Sequence, residues 1–361
     1  MVTTDIIEKN GFEVLISERP PSPEKWDKAV SEFEGGTFFQ STFWGDYLNH
    51  YKNYNTFYLQ IKNGASVIGF CLLWKEKITF SGFKAFPRIF SYYGPLLKTY
   101  TKESMDAFLG AMDKICKSER VMSLERLTPP IHFDSAPFRE NVANMFFRYS
   151  GVYKNSEAAT IILDLKKTEE GLWNGITYAA KKCLRRNSED NIEVVIADSK
   201  NDLDAYCRLL DNFVKSNGGR LPYFTPSMLD FLKNNKKCVE VFLAKRGGDV
   251  HGGLGILFFN GIIFEIGSCR SDYAIKNNLY VADALKWEVI KWARNNGFRQ
   301  YDLTGISPSP FTGKDKGIRR FKEKWGGAIV NYRNYAKVYQ RLPYYVCSTL
   351  KNNYFKRYLY R

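Results

Sequence analysis

Two carboxylates in the second half of the chain stand where a general base could act. Asp302 lies near the end of a predicted strand, Gln300 to Leu303, and Asp283 lies near the Tyr280 end of a predicted helix. A carboxylate at such a position can take a proton from an attacking nucleophile within hydrogen-bonding reach. The more ordinary role of Asp302 is to accept hydrogen bonds from the turn at Gly305-Ile306. The sequence leaves both roles open.

A second set of residues suited to chemistry is a group of cations on one predicted helix, Gly171 to Asn187. Several positive charges on one helix face bind a polyanion strongly at low salt, and a solvated helix face is the competing interpretation. The whole chain carries a formal net charge of +15, which favours attraction to nucleic acid, a phosphorylated substrate or an acidic membrane face, or simply gives solubility. The cations of the helix are Lys181, Lys182, Arg185 and Arg186.

Metal and disulfide chemistry are not expected. The three histidines, at positions 50, 132 and 251, lie far apart and have no metal-ligand spacing. The seven cysteines contain no CxxC pair, and an odd, dispersed set is typical of reduced core thiols. Nothing resembles a cofactor loop, so we expect no metal and no cofactor.

The elements that must position these residues fall into two halves, because 361 residues exceed one ordinary hydrophobic core. In the first half, Phe57 to Ile61 and Val67 to Trp74 read as strands joined by a turn at Lys62-Asn63-Gly64. Met105 to Ser118 reads as an amphipathic helix that follows a strand.

The second half repeats that order. Val239 to Lys245, Gly253 to Phe259 and Ile262 to Ser268 read as three successive strands, the last two joined by the hairpin signal Asn260-Gly261. The helix Val281 to Asn296 follows, closes at Gly297 and leads to the strand Gln300 to Leu303.

We therefore expect an α+β protein of two domains, each with a mixed, mostly antiparallel sheet flanked by helices. The predicted domains are residues 1–153 and 154–327, and residues 328–361 form a carboxyl-terminal segment that returns to the first domain. The last part of that segment is a tail rich in basic and aromatic residues.

Short pieces in both halves resemble the FemABX family of peptidoglycan bridge-forming aminoacyltransferases, over roughly residues 25 to 340. In the first half these are Gln40-Ser41-Thr42-Phe43-Trp44 and Tyr93-Gly94-Pro95-Leu96. In the second half they include Asn277-Asn278-Leu279-Tyr280, Tyr301-Asp302-Leu303-Thr304-Gly305-Ile306 and Arg320-Phe321-Lys322.

The resemblance implies two domains of the GNAT kind, the fold of acyl-CoA-dependent N-acyltransferases. It also implies transfer of an amino acid from aminoacyl-tRNA to an amine of a lipid-linked or nucleotide-linked cell-wall precursor. No long helical hairpin interrupts the second domain, so the chain is similar to the compact branch of the family.

The resemblance assigns roles to single residues. Phe321 and Lys322 match a pair that positions and stabilises the aminoacyl ester, with Lys322 as the cation that faces the oxyanion. The cations of the helix Gly171 to Asn187 would contact tRNA phosphates. Where some members carry a lysine one turn after the first-domain tryptophan, this chain has Leu48. The residues that match precursor-binding positions are Trp44, Tyr93, Arg220, Tyr280 and Arg320.

Two other functions stay open. A CoA-dependent N-acyltransferase would hold the CoA diphosphate on a glycine-rich turn before the helix at Val281, but the turn Lys276-Asn277-Asn278-Leu279-Tyr280 has no glycine. The second alternative is a non-catalytic binding protein that has the same fold.

The amino terminus lacks a signal pattern and no stretch reaches the roughly 18–20 apolar residues of a membrane span, so we expect a cytoplasmic protein. We also expect a monomer. The tail from Arg341 to Arg361 combines five basic residues with aromatic rings and has no acidic residue. It suits peripheral contact with the inner membrane face, or packing on the first domain.

Overall fold

The computed structural model describes residues 5–20, 22–80, 83–216, 225–310 and 312–353. The chain divides into two compact units, which are described one at a time. Unit 1 runs to Ala158 and resumes at Tyr332, and unit 2 comprises Ala159–Asn331. Unit 2 is therefore an insertion in the chain of unit 1.

Helices and strands are interspersed along the described residues. The first eleven are β1 (Asp5–Lys9), β2 (Phe12–Ser17), α1 (Pro23–Ser31), α2 (Thr42–Lys52), β3 (Asn55–Asn63), β4 (Ser66–Phe80), β5 (Phe83–Ser91), β6 (Leu96–Leu97), α3 (Lys102–Ser118), β7 (Ser123–Leu127) and α4 (Ala136–Phe147). The others are β8 (Lys154–Asp164), α5 (Glu169–Gly175), α6 (Tyr178–Glu189), β9 (Glu193–Ile196), α7 (Lys200–Ser216), α8 (Pro226–Phe231), β10 (Val239–Arg246), β11 (Asp249–Phe259), β12 (Ile262–Arg270), α9 (Asp272–Lys276), α10 (Val281–Asn295), β13 (Gln300–Ile306), α11 (Gly313–Glu323), β14 (Ala328–Val338) and α12 (Arg341–Asn353). A 3-10 turn, Phe38–Gln40, precedes α2, and a π-helical turn, Leu232–Lys236, follows α8.

The strands of unit 1 pair in the order β1-β2-β3-β4-β5-β7-β14, and β6 pairs with β4. All of these pairings are antiparallel except β5 with β7, which are joined through α3. A parallel pair needs a long crossover, and α3 supplies it. Thr101 and Ser104 exchange side-chain-to-backbone hydrogen bonds of 3.2 and 3.1 Å and so fix where α3 begins.

The strands of unit 2 repeat this plan in the order β8-β13-β12-β11-β10-β9. The parallel pair is β12 with β13, and α10 is its crossover helix. Val281, Leu285, Val289 and Ala293 follow one face of α10 and are fully buried against the sheet. The helix ends before Gly297, whose φ of +76° is the left-handed conformation that the sequence predicts there. Mixed, mostly antiparallel sheets flanked by helices confirm the α+β class.

One predicted helix is wrong in its extent. The run from Gly171 to Asn187 is two helices, α5 and α6, because the chain is extended at Ile176 and Thr177. The Thr177 hydroxyl accepts a hydrogen bond of 3.3 Å from the Ala180 amide and starts α6 as a new helix. A threonine inside an amphipathic pattern is easily read as a continuing helix, although its side chain favours a cap.

Candidate active site

The parallel ladder of unit 2 ends in the middle of its two strands. Ile262, Ile263 and Phe264 of β12 pair with Gln300, Tyr301 and Asp302 of β13, and the strands then continue beyond the ladder to Arg270 and Ile306. At the same level β13 shifts register against β8, and Thr304 takes a φ of +61°. The end of the ladder is therefore an irregular place in the sheet, which is typical of functional sites.

Asp302 holds this irregular backbone in place. Its carboxylate is fully buried and accepts a hydrogen bond of 2.7 Å from the Thr304 amide and another from the Thr160 hydroxyl on β8. The sequence leaves a general-base role and a turn-capping role open for Asp302, with capping expected at Gly305-Ile306. The structure places the bonded amide at Thr304. β13 also extends three residues past the predicted end at Leu303.

Lys322 lies against the same irregular segment. It is near the end of α11, and its ammonium donates to the Thr304 carbonyl at 3.2 Å, the Gly305 carbonyl at 3.1 Å and the Thr304 hydroxyl at 3.4 Å. Burial lowers the pKa of Lys322 to about 8, and the negative charge of Asp302 opposes that shift. Three oxygens accept from a group with three protons, so Lys322 must release one of these bonds to reach a substrate oxyanion.

Asp283, the second predicted carboxylate, is paired with a lysine. It is buried on α10 and forms an ion pair with Lys324, which directly follows α11. Burial raises the pKa of Asp283, and the charge of Lys324 opposes that rise. The Lys324 ammonium also lies 4.4 Å from the centre of the Phe321 ring and 5.4 Å from that of Trp325. Phe321 therefore helps to hold the cation that neutralises Asp283.

A buried cluster next to this site was missed from the sequence. Lys286 on α10 is only 2% exposed and pairs with Glu265 on β12, the residue after the ladder ends. The Tyr301 hydroxyl donates to Glu265 at 2.8 Å and lies 3.4 Å from the Lys286 ammonium. Burial lowers the pKa of Lys286, and the charges of Lys322 and Lys324 lower it further. Three lysines thus lie within electrostatic reach of one another.

A signal for this cluster does exist in the sequence. Lys286 lies four residues before Ile290 and seven before Ala293, so it shares a helix face with apolar residues that prove to be buried. A lysine in that position is rarely buried without a carboxylate partner. The partner could not be read from the sequence, because Glu265 and Lys286 meet only when β12 and α10 pack together.

Tyr280 joins α10 to α6. It stands just before α10 and is half-buried, with the Arg186 guanidinium 5.5 Å from the centre of its ring. The Asn187 side chain donates a hydrogen bond of 3.0 Å to the Tyr280 carbonyl. The turn before it needs one left-handed residue, and Asn278 supplies it with a φ of +53°.

The four cations predicted to bind a polyanion fall into two pairs. Lys181 and Arg186 lie over aromatic rings, Lys181 at 5.5 Å from the ring centre of Trp173. Lys182 and Arg185 are exposed and have no hydrogen bond or ion pair within the described ranges. Tyr178, at the first turn of the same helix, is 74% exposed. The exposed part of α6 thus combines two unpaired cations with an aromatic ring.

The predicted precursor-binding residues of unit 1 lie in an aromatic cluster. Trp44 is 7% exposed and packs among Phe38, Phe39 and Trp74, and its indole N–H has no acceptor among the described residues. Tyr93 contacts Phe39 with ring centres 5.6 Å apart. Leu48, where some family members carry a lysine, is buried.

The remaining predicted contacts are on α11 and in a loop. Arg320 is exposed on α11. Its neighbour Arg319 binds Glu323 and the carbonyl oxygens of Ser307 and Pro308, and so ties α11 to the chain that follows β13. Arg220 lies outside the described residues. Within the residues that the structure describes, no group of three or more histidine, cysteine, aspartate or glutamate side chains is placed to hold a metal ion.

A known protein family matches the part of the chain that contains the candidate active site. The model of the FemAB family matches residues 225–352, which include α10, β13 and α11. This part of the chain is therefore similar to the FemAB family. No curated protein sequence matches the chain significantly.

Solved structures resemble the FemAB-like chain over most of its length. FemX aligns with a TM-score of 0.71 over 91% of this chain and 98% of its own, at 14% identity. L-PGS from Bacillus licheniformis has a TM-score of 0.57 at 14% identity, with 92% of this chain and 96% of that chain covered. A conserved protein of unknown function from Bacteroides thetaiotaomicron has a TM-score of 0.53 at 10% identity, with 94% and 100% covered. At these identities the likeness shows the fold.

Fold and family confirm two of the expectations drawn from the sequence. The resemblance to the FemABX family is confirmed, and the fold is similar to those of FemX and L-PGS. The family match and these structures together indicate an acyl- or aminoacyltransferase. In the described part of the chain no helix has both the length and the apolar character that crossing a bilayer requires.

Proposed function

We propose that this protein transfers an amino acid from aminoacyl-tRNA to an amine of a peptidoglycan precursor or of a related cell-surface acceptor. The observation that carries the proposal is the setting of Lys322. A partly buried ammonium at the end of the β12–β13 ladder, inside the FemAB segment, suits a reaction that builds negative charge on an ester oxygen.

The chemistry is the aminolysis of an ester. The uncharged acceptor amine attacks the aminoacyl carbonyl, a C–N bond forms, and the carbonyl oxygen becomes an oxyanion that the Lys322 ammonium stabilises. The C–O bond to the tRNA ribose then breaks. The amine loses one proton and the ribose oxygen gains one, so no proton is consumed overall. Asp302 shapes the backbone that docks Lys322, and Asp283 holds Lys324.

The exposed part of α6 supports RNA as the carrier of the amino acid. Lys182 and Arg185 have no intramolecular partner among the described residues and can neutralise phosphates. Tyr178 offers an exposed ring on which a base can stack. Lys181 and Arg186 support this face through their contacts with Trp173 and Tyr280.

The residues that we assign to the acceptor are those that match the family's precursor-binding positions. The unpaired indole N–H of Trp44 can donate to a ligand oxygen, and the exposed guanidinium of Arg320 can bind a phosphate. The others are Tyr93, Tyr280 and Arg220.

The test is to incubate the protein with charged tRNA pools and cell-wall precursors and to detect the added residue by mass spectrometry. Lys322→Met should lower the rate about 100- to 1000-fold, the usual effect of removing one oxyanion-stabilising donor. Because burial disfavours the charge of Lys322, the variant should melt no lower than the parent protein. Lys316→Met, which changes an exposed lysine of the same helix, should keep the full rate.

Other results would contradict the proposal. A full rate in the Lys322→Met variant would show that the oxyanion is stabilised elsewhere. Transfer from acetyl-CoA but not from any charged tRNA would indicate a CoA-dependent N-acyltransferase. Binding of a precursor without transfer from either donor would indicate a binding protein on this fold.

A further inference from the structure

Two stacked rings lie on the surface of unit 2 at the start of α9. The ring centres of His251 and Tyr273 are 4.8 Å apart, and the ring planes are 23° from parallel. The Ser271 hydroxyl lies 3.2 Å from Nδ1 of His251 and accepts a hydrogen bond of 3.0 Å from the Ala274 amide. His251 is half-buried, whereas Tyr273 is 49% exposed. His251 therefore supports one face of a tyrosine ring that a ligand can still reach.

Arg270 is an exposed cation beside these rings. It ends β12, and its guanidinium has no hydrogen bond or ion pair with any residue that the structure describes. Arg270 and Lys276 give this segment two positive charges, against one negative charge on Asp272. Asp272 stands in the first turn of α9, where a carboxylate stabilises the helix. A guanidinium in this position is suited to bind phosphate oxygens.

The same segment borders the candidate active site. Arg270 pairs with Gly252 on β11, and a Cβ atom at Gly252 would lie 2.9 Å from the side chain of Val281, the first residue of α10. Asp283 lies in the first turn of that helix. Burial raises the pKa of Asp283, and the charges of Lys324 and Arg270 oppose that rise. Arg270 is therefore within electrostatic reach of the Asp283–Lys324 pair.

An accessible ring next to an unpaired cation is the combination that binds single-stranded nucleic acid. The ring stacks on an unpaired base, and the cation binds a phosphate of the same strand. A small inorganic anion would make no use of the ring, and an apolar ligand would make no use of the guanidinium. In the proposed reaction the amino acid is esterified to the unpaired end of an RNA, so nucleotides must lie next to the site.

We propose that Tyr273, supported by His251, stacks on an unpaired base at the 3′ end of the tRNA while Arg270 binds a neighbouring phosphate. The inference rests on the proposed function, which supplies the identity of the RNA. Every base has a face on which a ring can stack, so this contact recognises a single-stranded end and does not read its sequence.

The experiment compares two short RNA hairpins, one with a single-stranded 3′ end and one with a blunt end, by filter binding to the full-length protein. The parent protein should bind the tailed hairpin more tightly. Tyr273→Ala should weaken that binding roughly 5- to 140-fold, the effect of losing one stacked base, and should leave binding of the blunt hairpin unchanged. Tyr273→Phe keeps the ring and should bind like the parent. Phe147→Ala, which removes another ring that is 49% exposed, is the matched control and should also bind like the parent.

A second variant tests the phosphate contact. Arg270→Gln should lower the steepness of log K against log salt for the tailed hairpin by about 0.7, the effect of losing one phosphate contact to a single strand. Arg208→Gln, which changes an exposed cation on α7, should leave the slope unchanged. Thermal unfolding of Arg270→Gln should match the parent, because the side chain is exposed and has no ion pair among the described residues.

Failure of this inference can be told apart from failure of the transfer reaction. A parent that binds both hairpins equally, or a Tyr273→Ala variant that binds the tailed hairpin like the parent, would overturn the stacking role even if the parent transfers an amino acid from charged tRNA. A preference for the tailed hairpin that depends on Tyr273 would support the role even if no transfer is detected. Binding of uridine diphosphate that depends on Tyr273, with no preference between the hairpins, would assign the ring to a nucleotide-linked acceptor instead.

Discussion

Lys322 is a partly buried lysine whose positive charge is opposed by its burial. Burial disfavours its charge, and the Thr304 and Gly305 carbonyls together with Asp302 favour it. The balance leaves the pKa of Lys322 at about 8, low enough for the charge to be lost in mildly alkaline solution.

The pH dependence of transfer tests this balance. The ammonium is needed, so the rate should fall as pH rises through about 8, the folded-state pKa of Lys322. Lys322→Arg keeps its charge throughout this range, so its residual rate should not fall there. The measurement is the single-turnover rate against pH for both proteins. A parent rate that keeps rising above pH 9 would contradict the role of the ammonium.

The Lys286–Glu265 pair makes a prediction about stability. Lys286→Met leaves Glu265 with the Tyr301 hydroxyl but without its cation. Removing one partner of a buried ion pair costs about 3–5 kcal/mol of unfolding free energy. Adding Glu265→Gln should restore much of that loss, because no uncompensated charge then remains. Urea unfolding of the two single variants and the double variant measures the coupling, and additive losses would show that there is none.

At the scale of elements, the break between α5 and α6 decides which cations are available. Because Thr177 caps α6, the turns of this helix place Lys181 over Trp173 and leave Lys182 and Arg185 exposed. In a single unbroken helix from Gly171 to Asn187, the faces that carry these cations would point in different directions from those observed. Of the four predicted cations, Lys181 and Arg186 therefore pack on aromatic rings, and Lys182 and Arg185 are the two that we propose to contact tRNA.

Salt dependence separates these roles in tRNA binding. Lys182→Gln combined with Arg185→Gln should lower the steepness of log K against log salt by about 1.4–1.8, the effect of losing two phosphate contacts. Lys200→Gln combined with Arg208→Gln, two exposed cations on α7, is the matched control and should leave the slope unchanged. Filter binding of tRNA across a salt series measures both. Equal slopes in the parent and the α6 variant would exclude this face.

Most of the elements around the site could be predicted, because their signals are local. The burial of Val281, Leu285 and Val289 follows from helical spacing, and the end of α10 follows from Gly297. The bulge at Thr304 could not be predicted, since it depends on hydrogen bonds between Asp302 and two partners, one of them on β8. The hydrogen bonds of Lys322 to Thr304 and Gly305 depend on that bulge, so they could not be predicted from the sequence either.

At the scale of the whole molecule, each unit repeats one plan. Each has antiparallel strands, one parallel pair and a crossover helix between its two strands, α3 in unit 1 and α10 in unit 2. The sequence indicates this repeat through the recurring order of strands and helices. What it does not indicate is that Glu265 is the partner of the buried Lys286, because the two residues of this ion pair are distant in sequence.

The chain order of the units has a consequence during synthesis on the ribosome. The final strand of unit 1, β14, pairs with β7 through Tyr335 and Leu127, yet it emerges only after all of unit 2. While unit 2 is being synthesised, the β7 edge of the sheet of unit 1 therefore has no β14 to cover it. Such an edge can pair with a foreign strand, so chaperone protection is needed most in the interval before β14 is released.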